Sequence, residues 1–154
     1  MRELLMVLFL FFGFSANAQS LKGYILGESI GNKPLESWQS VGGLHGYLKI
    51  NTQEEIVIGC EFIYMVNIDE TSTAEIDKWI QNVGNHYNVK LSKEPRGIEN
   101  EYLNVIGCNS NVYVFITLTQ STNSKNIELK FVLFSREILD KLQNSQEKIN
   151  EYDF

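Results

Sequence analysis

Proline and cysteine are scarce in this chain of 154 residues, with two of each; histidine is equally scarce, and the 13 basic residues are outnumbered by 19 acidic ones. Each scarcity excludes something. Two distant Pro and 11 Gly leave no Pro- or Gly-rich linker, so nothing in the composition divides the chain into several domains. A formal charge of −6 without a basic stripe argues against nucleic acid as a partner, because neutralising phosphates takes clustered Lys and Arg. The densest basic group, Lys90, Lys93 and Arg96, is interleaved with Glu94 and reads as a solvated strand edge. Neither His45 nor His86 has a second His four residues away, so no metal site and no other cofactor is expected.

Phenylalanine, by contrast, is plentiful and uneven. Four of the nine (Phe9, Phe11, Phe12 and Phe14) lie in an apolar run at 4–14 interrupted only by Gly13. A short charged start, this run, and the small residues Ala16 and Ala18 make the three parts of a secretory signal peptide over 1–18, with cleavage expected after Ala18. Eleven helical residues reach about 17 Å, short of the roughly 30 Å hydrocarbon layer, so no stable membrane insertion is expected once the leader is removed. No Cys follows the run, which leaves the lipoprotein route unsupported. The expectation is a periplasmic or secreted protein whose mature part, 19–154, is a single α+β domain.

Export gives the two cysteines a meaning. Cys60 and Cys108 each follow Ile-Gly in a β-type stretch, and an even count in an oxidising compartment predicts a bond between them. Closing that 49-residue loop would stabilise the fold by about 4 kcal/mol in the chain-entropy model. The alternative is two buried free thiols on separate strands, since spacing alone does not bring Cα atoms together.

Along the mature chain, 21–27 reads as a short first strand and 28–43 as mostly loop, with one helical turn at 35–39 after Pro34. Segments 44–50 and 55–68 read as a hairpin around the polar turn 51–54. Ser72 and Glu75 have capping-box spacing, and Ile76, Trp79, Ile80, Val83 and Tyr87 make one apolar stripe on the helix that follows. Further strands are expected at 89–91, 102–108, 112–119 and 127–134, and a final helix from Ser135. The fold class is α+β: a two-layer sandwich with a mostly antiparallel sheet of five to six strands, one amphipathic helix packed on it and a C-terminal helix. Tyr24, Tyr47, Tyr64 and Tyr113 are candidates for the sheet face opposite the helix.

Catalytic signatures are not found. There is no Gly-x-Ser-x-Gly elbow, phosphate loop or calcium loop, and carboxylate pairs such as Asp69-Glu70 sit in polar loops. No catalytic residue is assigned. His86 reads as a residue of the helix C-terminus, and Trp79 as core. Trp38, placed in the loop region, is either a core plug or an exposed binding residue; with His45 and Tyr47 it would form an apolar, hydrogen-bonding patch for a protein, peptide or glycan.

The Leu21-Lys22-Gly23-Tyr24-x-Leu26-Gly27 opening behind a leader, followed by a hairpin, an amphipathic helix and more strands, resembles small exported α+β domains of unknown function common in Bacteroidota. The resemblance implies a periplasmic or secreted bacterial protein and carries no site residues. The leading expectation is a non-enzymatic binding or interaction module of the cell envelope. One alternative is an inhibitor or immunity-like protein acting through the loop at 92–101 or at 120–126. The other is a small hydrolase using His45 with a carboxylate.

Overall fold

The structure, a computed structural model, describes residues 19–67, 71–94, 101–120 and 126–151. The segment at 1–18, expected to be a signal peptide, and most of the two candidate inhibitory loops lie outside them.

The segment with the strongest local signal forms as its sequence predicts. Helix α1 (Thr73–Tyr87) begins at Ser72, whose hydroxyl accepts from the Glu75 backbone N–H while the Ser72 N–H donates to the Glu75 carboxylate at 2.7 Å. These bonds to Ser72 hold the Glu75 carboxyl below its usual range. The helix stops at Asn88, which takes a left-handed φ of 52° so that the Val89 N–H can reach back to the Gly84 carbonyl at 2.9 Å. The whole stripe from Ile76 to Tyr87 is buried.

That stripe lies on one antiparallel sheet. A separate two-residue pairing joins β1 (Ser20–Leu21) to β2 (Tyr24–Ile25). The main strands are β3 (Glu36–Val41), β4 (Leu44–Gln53), β5 (Ile56–Val66), β6 (Ser92–Lys93), β7 (Glu101–Cys108), β8 (Val112–Gln120) and β9 (Ile127–Ser135). Their spatial order is β3-β4-β5-β9-β8-β7-β6, seven strands rather than five to six. Two meanders of neighbouring strands therefore meet at one seam, where β5 pairs with β9.

The register explains the blurred alternation of the central strands. Leu48, Phe62, Phe131, Ile116 and Val105 align in one row on the helix side, all nearly inaccessible to solvent. Trp79 meets Phe131 edge-on with ring centroids 5.8 Å apart, and Tyr87 lies 6.0 Å from the same ring. The next row, Glu61, Val132, Phe115 and Ile106, faces the other way and is half-buried, so apolar residues occur on both faces. Helix α2 (Arg136–Glu151) follows β9 directly, and is tied to that outer face where the Tyr113 hydroxyl donates to Asp140 at 3.2 Å and the Arg136 guanidinium lies over the Tyr113 ring.

Several expectations are corrected here. The segment at 36–41 is strand β3, not a helical turn, because pairing with β4 satisfies its backbone. The expected first strand at 21–27 is instead the β1–β2 pair, broken by positive φ at Lys22 and Gly23, and 89–91 is not a strand. The disulfide is absent: Cys60 and Cys108 are free thiols. Cys60 shares the helix-side row of Leu133, Val114 and Gly107, whereas Cys108 follows Gly107 and so points to the opposite face. Three strand spacings separate them, about 14 Å, well beyond the roughly 7 Å that a disulfide spans between Cα atoms. The alternative of two buried thiols holds for Cys60 only, since Cys108 is exposed.

Candidate functional site: an aromatic patch on the edge hairpin

The β3–β4 hairpin is built around Val41-Gly42-Gly43-Leu44. Both glycines have positive φ, +59° and +89°, the backbone that a two-residue hairpin turn needs. Gly42 is required for a second reason: a Cβ there would come within 2.6 Å of Trp79 Nε1, which donates to the Val41 carbonyl at 3.0 Å. The turn is thus seated on the core helix.

Closing the hairpin at Val41 and Leu44 fixes what lies opposite what. Ser40 faces His45, Trp38 faces Tyr47 and Glu36 faces Lys49. All six share the sheet face away from α1, by the period-two alternation of strands. The structure therefore brings the three residues singled out in the sequence together. The Trp38 and His45 rings stack with centroids 5.9 Å apart and planes 24° from parallel, and Tyr47 meets Trp38 edge-on at 5.8 Å. Trp38 remains 66% exposed, which answers the question left by its sequence: it is not a core plug.

Polar groups flank the rings. The Tyr47 hydroxyl donates to the Glu36 carboxylate, and this bond to an anion raises the Tyr47 pKa, since ionising the phenol would set two negative charges against each other. Ser40 Oγ lies 3.2 Å from His45 Nδ1. Behind Tyr47 come Ile63, opposite it on β5, and the Glu61–Lys130 ion pair at 3.2 Å. Sequence reasoning missed Glu36 and Ser40. The signal was present in the Gly42-Gly43 pair: a two-residue turn there places Val41 opposite Leu44, and counting back places Trp38 beside Tyr47.

The other candidates separate. Of the four tyrosines proposed for the outer face, Tyr47 and Tyr113 are on it. Tyr24 is buried, with its hydroxyl donating to the Pro34 carbonyl at 2.7 Å, and Tyr64 registers with Leu129 on the helix side. His86 lies at the end of α1 against the Tyr87 ring, bordering a cleft of about 470 Å³ floored by Trp79, Tyr87 and Phe131. His45 borders neither that cleft nor two further ones, at the helix flank and at the sheet end. Its hydrogen-bonding neighbour is Ser40 on the outermost strand, and among the described residues no carboxylate is hydrogen-bonded to it to orient it as a base. Among the described residues no group of three His, Cys, Asp or Glu is placed to hold a metal ion.

Comparison with protein-family models, curated proteins and solved structures gave no match to this chain, so the reading of the patch rests on its own geometry.

Proposed function

We propose that the chain is an exported, non-enzymatic binding module of the bacterial cell envelope, and that it engages its partner through Trp38, His45 and Tyr47. The carrying observation is the 66% exposure of Trp38 within a regular strand, held between two other rings. Leaving an indole in water forgoes about 2–3 kcal/mol of burial, and such residues are enriched where proteins make contacts. Among a protein, peptide or glycan, the patch suits a glycan best. It is open rather than cleft-like, so sugar C–H faces can lie on the rings, while Glu36, Ser40 and Lys49 stand beside them to meet hydroxyl groups.

The test is titration of envelope polysaccharide fractions into the purified mature domain, followed by tryptophan fluorescence and calorimetry. Trp38→Ala is expected to weaken binding by tenfold or more, on the order of a contact hot spot, while the melting transition stays cooperative. Unchanged affinity in that variant, or no binding by any envelope glycan, would overturn the reading.

A further inference from the structure

Strand β3 is the outermost strand of the sheet and runs for six residues. Its hydrogen-bonding parity follows from the hairpin. Val41 and Leu44 close a two-residue turn as a bonded pair, and the Ile50 N–H donates to the Leu35 carbonyl at 2.7 Å six residues earlier. Bonded pairs alternate with non-bonded ones in an antiparallel ladder, so Leu35, Ser37, Gln39 and Val41 turn their backbone groups inward to β4. Glu36, Trp38 and Ser40 turn theirs outward. Among the described residues no backbone group pairs with them. Of the usual guards the edge carries a single charge, Glu36: β3 contains no Lys, no Pro and no bulge.

We infer that β3 pairs antiparallel with β3 of a second copy of this chain, making one continuous sheet through a two-fold axis at Trp38. The inference goes beyond the proposed glycan recognition and does not depend on it.

The sequence of the edge fits its own reverse. With Trp38 opposite Trp38 of the second copy, Glu36 falls opposite Ser40, and all three outward residues of each edge are used, giving about six backbone hydrogen bonds at two per facing pair. Shifting the register by two residues loses one of the three facing pairs. A shift by four that stacks the N-terminal ends sets Glu36 against Glu36, and like charges directly opposite destabilise a ladder. In the favoured register each Glu36 carboxylate instead meets the Ser40 hydroxyl, with His45 next in the same row. Charge is locally balanced too: the hairpin face carries Glu36 with Lys49, and Glu61 with Lys130, so the overall −6 is not concentrated at this edge. Because the pairing uses backbone at the sheet edge, the rings stay on the outer face. The two patches then join as one row, Tyr47 and Trp38 of one copy followed by Trp38 and Tyr47 of the other.

The experiment needs no ligand. Light scattering coupled to size exclusion on the mature domain is expected to give a concentration-dependent mass approaching twice that of one chain. Hydrogen exchange at Glu36, Trp38 and Ser40 is expected to slow as concentration rises. Ser40→Pro removes an outward N–H without touching the hairpin's backbone bonds, at the loss of the Ser40–His45 side-chain contact, and is expected to give a monomer. Should that variant fail to fold, Trp38→Lys and Trp38→Glu provide the second arm: each alone is expected to be monomeric, and their mixture to recover a dimer, because residue 38 faces itself across the axis. A monomeric wild type at the highest attainable concentration overturns the inference, whether or not a glycan or a strand of another protein binds. So does a dimer that persists unchanged in the Ser40→Pro and charge-swapped variants.

Discussion

Two thiols separated by three strands meet different surroundings. Burial on the helix side of the sheet pushes the Cys60 thiol up to about 12, so it stays protonated and shielded near neutral pH. Cys108 is exposed at the end of β7, with the Arg136 guanidinium 4.0 Å from its sulfur. Iodoacetamide at mildly alkaline pH is therefore expected to add one carbamidomethyl group to the native protein, at Cys108, and a second only after denaturation. Intact-mass and peptide-level spectrometry check this, and two groups added at equal rates in the native state would contradict the burial of Cys60. The repeated Ile-Gly-Cys invited a pairing that the strands do not allow. Period-two parity held the answer: Cys60 shares a face with Phe62, whereas Cys108 is out of step with Val105 and Gly107. Residue type and nearness in sequence suggest Trp38, His45 and Tyr47 as a group, whereas the register that sets them side by side comes from the glycine pair between them, which composition reads only as loop.

At the scale of elements, legibility followed how much of an element's stability is local. Helix α1 carries its own cap, stop and stripe, and the sequence describes it nearly residue by residue. Strand β3 carries none of these. Its residues, Glu36-Ser37-Trp38-Gln39-Ser40-Val41, have one side in water, so little apolar alternation is needed, and its extended form comes from pairing with β4. The β4–β5 turn shows a different mismatch. Glu54 and Glu55 both adopt positive φ, 50° and 64°, in a two-residue turn that favours Asn-Gly. Left-handed backbone costs an L-residue with a Cβ about 1–2 kcal/mol. The double replacement Glu54→Asn with Glu55→Gly is expected to stabilise the protein by about 1–2 kcal/mol. A higher urea midpoint at unchanged slope would show it; an equal or lower midpoint would mean that the turn is already relaxed.

For the molecule as a whole, the decisive join is the seam at which β5 meets β9, because it links strands from distant parts of the chain and lies beneath α1. Phe131 sits there, inaccessible to solvent, touching the rings of Trp79 and Tyr87 and registering with Phe62 and Ile116. Phe131→Ala is expected to cost about 3–5 kcal/mol, a large share of the 5–15 kcal/mol typical of a domain. Met65→Ala, at a half-exposed position on β5, is expected to cost far less. Denaturant unfolding of the two variants compares them, and similar losses would mean that the seam is not where stability is concentrated. The same packing reaches the hairpin, since Trp79, pressed on Phe131, also donates its indole N–H to Val41 at the turn. One tryptophan thereby fastens the outer hairpin to the inner helix. A surface held in this way is preorganised: the ligand proposed for it would have little backbone left to order and would lose little affinity to conformational entropy.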